Sequence, residues 1–318
     1  MLWENQISKR WQVSATFYCF YSRLNYDIVQ HNFKFQVEYT NMPFVDWWQH
    51  LPENLSPVIF EIGPISLRYY GMMYVVAFTI VYVMVRYRLR TEDRFHLSGQ
   101  QVNDLITAMI VGLILGARLG YVVFYNLSYY LSHPLEILLP FEFSNGIRFV
   151  GIAGMSYHGG LIGVILATFW YCRKARLGLW EISDLFVPVV PLGYTFGRLG
   201  NFINTELYGR TTQKAIGMFF PNAPGAALRH PTQLYEAFFE GIFLFILLWS
   251  IRKMKLPVGG LFAIYLAGYG TVRFFIEFFR EPDAHLGFVL MSLTMGQLLC
   301  AAMIGSGALL FLYRAKHA

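Results

Sequence analysis

Residues 184–210 read DLFVPVVPLGYTFGRLGNFINTELYGR. The part from Asp184 to Phe196 has the character of a membrane-buried helix. From Gly193 onward the chain stays apolar and glycine-rich but adds Arg198, Asn201, Asn204, Glu206 and Arg210. A charge at the bilayer centre is unfavourable by roughly 2.5–3.5 kcal/mol on insertion scales. A helix that only has to span does not carry such a load. An intramembrane arginine followed by amides and a carboxylate therefore reads as a site, and the ligand that suits it is an anion.

The rest of the chain fits a membrane setting. Of its 318 residues, 56% are hydrophobic and 18% aromatic, and only 14% are charged, against roughly 25% in soluble domains. Seven stretches are long and apolar enough to span: Tyr69–Tyr87, Asp104–Tyr125, Met155–Cys172, Asp184–Ile203, Gln233–Ile251, Gly259–Phe279 and Leu293–Tyr313. Basic clusters follow the first (Arg86, Arg88, Arg90, Arg94), third (Arg173, Lys174, Arg176), fifth (Arg252, Lys253, Lys255) and seventh (Arg314, Lys316). Positive charge at every second boundary marks the cytoplasmic side. The expected fold class is an all-α polytopic membrane protein of about seven transmembrane helices, N-terminus outside and C-terminus cytoplasmic. The net charge of +6 then reflects topology, and nucleic acid is not an expected partner.

Residues 1–41 differ in character from the rest of the chain. They carry Lys9, Arg10, Arg23 and Lys34 and no apolar core of signal-peptide length. They are expected to be a dispensable extension, with Met42 the natural initiator and residues 42–318 one integral membrane domain. Trp47 and Trp48, in PFVDWWQHLPE, suit an interfacial segment on the outer face. Cys19, Cys172 and Cys300 have no CxxC or metal-ligand spacing, so no disulfide framework, metal or cofactor is expected. Gly112, Gly116 and Gly120 are spaced four apart, as are Gly193 and Gly197, which suits close helix packing in lipid.

The orientation gives each polar residue a depth, because a helix rises 1.5 Å per residue. Arg198, Arg273 and Arg118 each fall roughly 21 Å from the inner end of their spans. His158 falls at roughly 22 Å, and Glu236 and Tyr70 at roughly 24 Å. Six helices thus offer a polar group to one layer in the outer half of a core roughly 30 Å thick. Arg273, Glu277 and Arg280 share a face of the sixth span, and Glu236 and Glu240 a face of the fifth. Two readings stay open for these charges: ion pairs that only lock helices, or an anion site. For Glu240 and for His158, in GMSYHGG, a structural role is the alternative.

Arginine offers a permanently charged planar fork that matches phosphate oxygens. At headgroup depth on the outer side it suggests a phospholipid phosphate. Histidine can act as a general base at neutral pH. Such a chamber suits transfer chemistry on an anionic lipid that arrives laterally from the bilayer. A transporter for an anionic solute is the rival, but it calls for discontinuous helices meeting at the midplane. An intramembrane serine protease, suggested by Ser156 beside His158, is weaker.

The segments LRYYGMMY, GARLGYVVFYN, GMSYHGGLIG, GRLGNFINTELYGR, RHPTQLYEA and GYGTVRFFIEFFREPD, in this order, closely resemble those of the bacterial phosphatidylglycerol–prolipoprotein diacylglyceryl transferase family. The resemblance runs from about Pro57 to the last span. It implies a bacterial inner-membrane enzyme with its site towards the outer leaflet. Its donor would be phosphatidylglycerol, its acceptor the lipobox cysteine of a prolipoprotein signal peptide, and its product a thioether with release of glycerol 1-phosphate. Carried over by motif, Arg198 and Arg273 resemble the arginines assigned to phosphatidylglycerol, and His158 the candidate base. Tyr70, Asn201, Glu206, Gly209, Glu236 and Glu277 fall on other important family positions. The segment from Thr211 to Leu228 is shorter than in some relatives, which implies a reduced outer cap.

Overall fold

A computed structural model describes residues 44–62, 65–137, 139, 141–142, 148–149, 154–281, 288–290 and 293–317. The N-terminal extension expected at 1–41, with Cys19, and the proposed initiator Met42 lie outside the described residues. The described residues form two units.

The larger unit, 56–210 with 231–318, is helical. Its helices are α2 (Tyr69–Thr91), α3 (Gly99–Tyr125), α4 (Leu127–Ser132), α5 (Tyr157–Ala175), α6 (Leu179–Phe186), α7 (Val190–Ile203), α8 (Thr232–Ile251), α9 (Gly260–Ile276) and α10 (Met295–Lys316). Helices α2, α3, α8 and α10 are long and apolar enough to cross a membrane, and α9 is a shorter apolar helix. The protein is thus an all-α polytopic membrane protein. Three two-stranded antiparallel hairpins lie among the described residues, the first being Val58–Ile62 paired with Ile65–Arg68 just before α2. Helices α3 and α10 open with capping boxes, Ser98 with Gln101 and Thr294 with Gln297, which satisfy backbone N–H groups that have no partner within the helix.

The glycine spacing has its expected consequence between α3 and α5. A Cβ at Gly116 would stand 2.4 Å from the Gly159 carbonyl oxygen, and one at Gly163 would stand 2.0 Å from that of Gly112. Only glycine permits that approach. Gly193 packs against the Val81 side chain, where a Cβ would stand 2.9 Å from Cγ2, but a Cβ at Gly197 would meet nothing within 4 Å, so that glycine is not a packing contact.

The expected span Asp184–Ile203 is corrected: it is not one helix. It divides into α6 and α7 at a turn over residues 187–189. The cause is Pro188, which has no N–H to offer the Asp184 carbonyl four residues back. Arg88 fills the gap. Its Nη1 donates to the Asp184 carbonyl at 2.7 Å and also to that of Leu185. Arg88 is fully buried and holds Glu92 through Nε and Nη2, each at 2.8 Å. The Asp184 carboxylate turns the other way and accepts N–H bonds from Gly259 (2.8 Å) and Phe262 (2.9 Å). It thereby caps α9, where a carboxylate also complements the helix dipole. One buried knot therefore fixes α2, the α6–α7 break and the start of α9.

The smaller unit has 44–55 and 211–230 as its described part. Its helix α1 (Phe44–Gln49) carries Trp48, whose Nε1–H donates to the Ile216 carbonyl at 3.0 Å. The Phe219 N–H bonds the Gln49 carbonyl at 2.8 Å, and the Phe219 ring stacks on His50 at 4.7 Å. Trp47 and Trp48 are both half-buried.

Candidate active site

The polar residues at matching depth do not all meet. The centre that forms is a carboxylate, Glu236, with no exposed surface. Its Oε1 accepts from Arg273 Nη1 at 2.8 Å and from Arg280 Nη1 at 2.6 Å. Its Oε2 lies 2.8 Å from Arg198 Nε. Two helical segments thus send arginines onto a carboxylate from a third: α7 supplies Arg198, α9 and its following turn Arg273 and Arg280, and α8 the glutamate.

Around this centre lie two further carboxylates. Glu240 Oε1 is 3.4 Å from Arg273 Nη1, and its Oε2 accepts the Tyr194 hydroxyl proton at 2.5 Å. Glu277 approaches Arg273 Nη2 at 3.4 Å and Arg280 Nε at 3.5 Å, and accepts from the Thr294 hydroxyl at 3.2 Å. The carboxylates are the inner side of the cluster. The arginine side chains keep 15–19% of their surface exposed, whereas Glu236 and Glu240 keep none. The cluster holds the cationic forks against buried carboxylates while each arginine keeps part of its surface exposed.

A wide turn brings Glu240 to this position. Residues Ala237–Phe243 of α8 form a π-helical segment, the kind of local expansion often met at functional sites. Thr195 on α7 donates its hydroxyl to the Ala237 carbonyl at 3.3 Å. A Cβ at Gly241 would overlap Thr195 Oγ1 at 2.0 Å, so glycine lets α7 and α8 meet there.

Arg198 is held along its own helix as well. Its Nε–H points to the Tyr194 hydroxyl oxygen at 2.6 Å, so the contact with Glu236 is an ion pair without a directed hydrogen bond. Its Nη1 donates to Asn201 Oδ1 at 3.3 Å. Among the described residues Nη2 has no protein acceptor. Asn201 in turn donates to Glu206 Oε1 at 2.8 Å. Glu206 sits between Thr205 (φ 53°) and Leu207 (φ 59°), both in the left-handed region, where a β-branched threonine is an outlier. The strained turn is held by α8: Gln233 Nε2 donates to the Glu206 carbonyl at 2.6 Å and Thr232 Oγ1 to that of Leu207 at 3.0 Å. Gly209 forms an antiparallel bridge with Arg280, and the Arg210 N–H bonds the Phe279 carbonyl at 2.9 Å. The end of the GRLGNFINTELYGR segment is thereby tied to the arginine-bearing end of α9.

Of the expected site residues, Arg198, Arg273, Glu236 and Glu277 meet directly. Asn201 and Glu206 continue the network, and Gly209 acts through its backbone. Tyr70 lies beside it: its ring packs where a Cβ at Gly200 would come within 3.1 Å, and its hydroxyl bonds that of Tyr74 at 3.0 Å. The structure does not join His158 to the cluster. It is exposed in the first turn of α5, with its ring 5.6 Å from that of Tyr157. Arg118 is otherwise engaged, since it donates to the carbonyls of Ile137 (2.7 Å), Glu136 (2.5 Å) and Gly154 (3.4 Å). Tyr194 is absent from the residues expected on sequence grounds. Its spacing of four from Arg198 is the signal that could have found it.

Among the described residues no group of histidine, cysteine and carboxylate side chains is arranged to hold a metal ion. The family profile described as prolipoprotein diacylglyceryl transferase matches residues 57–313. A relative from Chlorobaculum tepidum is 53% identical over 265 residues, covering 83% of this chain and 91% of its own length. One from Oleidesulfovibrio alaskensis is 45% identical over 264 residues, covering 82% and 94%. One from Pseudoalteromonas atlantica is 43% identical over 267 residues, covering 83% and 90%. All three carry the name phosphatidylglycerol–prolipoprotein diacylglyceryl transferase.

Proposed function

The chain belongs to the prolipoprotein diacylglyceryl transferase family, and from that premise we propose how its residues carry out the reaction. It is a transferase that moves the diacylglyceryl group of phosphatidylglycerol to the lipobox cysteine thiol of a prolipoprotein. A thioether forms and glycerol 1-phosphate leaves, the first step of lipoprotein maturation. The observation that carries the site reading is the convergence of Arg198, Arg273 and Arg280 on the buried Glu236.

The phosphodiester brings one negative charge and leaves as a monoester that can hold two. In the proposed mechanism the thiol loses its proton, and the thiolate attacks the terminal glycerol carbon of the diacylglyceryl group. A carbon–sulfur bond forms as the carbon–oxygen bond breaks, and the electron pair goes to the phosphate oxygen. Arg198 and Arg273 bind that phosphate and stabilise the growing charge with donors already in place. Asn201, Glu206 and Tyr70 line the donor site, Gly209 shapes it through its backbone, and Glu236 and Glu277 aim the arginines. His158 takes the thiol proton. An in-line displacement puts the attacking sulfur opposite the leaving oxygen, so a base beside the thiol has no need to touch the arginine cluster.

The proposed setting is the bacterial cytoplasmic membrane, with seven spans, the N-terminus outside, the C-terminus inside and the site towards the outer leaflet. Residues 42–318 form the catalytic domain and 1–41 a dispensable extension. The test is to incubate purified protein with phosphatidylglycerol and a lipobox peptide. The expected product is a diacylglyceryl thioether with equimolar glycerophosphate, and none with a peptide whose acceptor cysteine is serine. Folded protein that gives no cysteine-dependent product would overturn the reading.

A further inference from the structure

Tyr194 lies at the meeting point of the cluster without being one of the proposed substrate ligands. Four features of its surroundings stand out. The Arg198 guanidinium carbon stacks over its ring, 4.7 Å from the centroid. Its hydroxyl oxygen accepts the Arg198 Nε–H at 2.6 Å. Its hydroxyl proton goes to Glu240 Oε2 at 2.5 Å. Glu240 in turn reaches Arg273 Nη1 through its other oxygen at 3.4 Å. One unbroken path therefore runs from Arg198 through Tyr194 and Glu240 to Arg273.

We infer that Tyr194 is a positioning residue for the transfer reaction, turning the plane of Arg198 so that its Nη2 edge faces the substrate phosphate. The hydroxyl competes with Glu236 for the Arg198 Nε–H. That hydrogen points to Tyr194 although Glu236 Oε2 is only 2.8 Å from the same nitrogen. Removing the hydroxyl leaves the ring to stack on but frees Nε–H to turn to Glu236, and the planar fork turns with it. A rigid fork binds well only when its plane matches the phosphate oxygens. The groups facing Tyr194 are Arg198 on its own helix, Glu236 and Glu240 on α8, and Arg273 and Tyr269 on α9, the last with its ring 6.3 Å away. The tyrosine hydroxyl is the one uncharged member among the groups that bind Arg198 Nε and Glu240 Oε2, so it aligns the arginine without neutralising it.

This inference rests on Arg198 being a phosphate ligand, and the variants separate the two claims. Charge on the phosphate grows as the carbon–oxygen bond breaks, so a misaligned donor is felt more in the transition state than in the bound substrate. Tyr194→Phe is expected to lower kcat about tenfold while KM for phosphatidylglycerol stays within about threefold. Arg198→Ala is expected to abolish turnover. If Tyr194→Phe stays within about twofold of the parent in kcat, or raises KM alone, the inference is overturned. If Arg198→Ala remains active, the phosphate reading itself fails. A near-isosteric probe, 4-fluorophenylalanine at position 194, covers the case in which Tyr194→Phe does not fold. It fills the space of the hydroxyl but has no proton for Glu240 and only a weak acceptor for the Arg198 Nε–H, so kcat is again expected to fall about tenfold. A kcat within about twofold of the parent would overturn the inference.

Discussion

Glu236 has no exposed surface, yet three arginine side chains converge on it. Breaking a buried ion pair by removing one partner typically destabilises by about 3–5 kcal/mol, because the other charge is left uncompensated. Glu236→Gln keeps the shape and removes the charge. It is expected to lower the thermal unfolding midpoint in detergent and to reduce transfer to a lipobox peptide by at least about a hundredfold, as the arginines lose their common anchor. Wild-type turnover in that variant would mean that the arginines are aimed by something else. His158 makes a different prediction. It lies apart from the cluster in an exposed first turn, so His158→Gln should leave stability near the parent value. If it is the base, kcat falls by about a hundredfold or more with little change in KM for phosphatidylglycerol. Retention of most activity would pass the role to a carboxylate.

Between helices, the glycines divide into those that touch a neighbouring helix, as on α3 and α5, and those that do not. A side chain at Gly116 would meet the Gly159 backbone at 2.4 Å, whereas Gly197 on α7 has open space. Gly116→Leu is expected to cost at least about 1–3 kcal/mol of stability from overpacking and to lower activity, because α5 carries His158. Gly197→Ala should be tolerated in both respects. Circular dichroism melts of the two purified variants, with the peptide assay, check the contrast. The spacing of Gly112, Gly116 and Gly120 was legible in the sequence because every fourth residue of a helix returns to nearly one face. The depths of Arg198, Arg273 and Glu236 were legible too, since rise per residue is a fixed length. Arg118 and His158 share that depth but point elsewhere, because depth says nothing of direction around the axis. The break between α6 and α7 was written in Pro188, but a long apolar run masked it. The π segment at Ala237–Phe243 has no comparable sequence mark: it lies where Gly241 meets Thr195 across two helices.

For the protein as a whole, the basic clusters after Tyr87, Cys172, Ile251 and Tyr313 imply an orientation that labelling can test. A cysteine at Lys214, in the segment proposed to lie outside, should react with a membrane-impermeant maleimide in intact spheroplasts. A cysteine at Lys253 should react only after permeabilisation. The reverse pattern would invert the proposed topology. The ion-pair cluster has a consequence for how substrate arrives. Arg198, Arg273 and Arg280 are matched by Glu236, Glu240 and Glu277, so with all six ionised their charges sum to zero. Such a centre projects little long-range field into the surrounding water, and soluble anions gain no attraction towards it. Its donor is then expected to reach it by two-dimensional diffusion within the leaflet and to be recognised only on contact. Steered association weakens steeply as salt is added. Here kcat/KM for phosphatidylglycerol in bilayer nanodiscs should change by less than about twofold from low to high ionic strength, and free glycerophosphate should be a poor competitor.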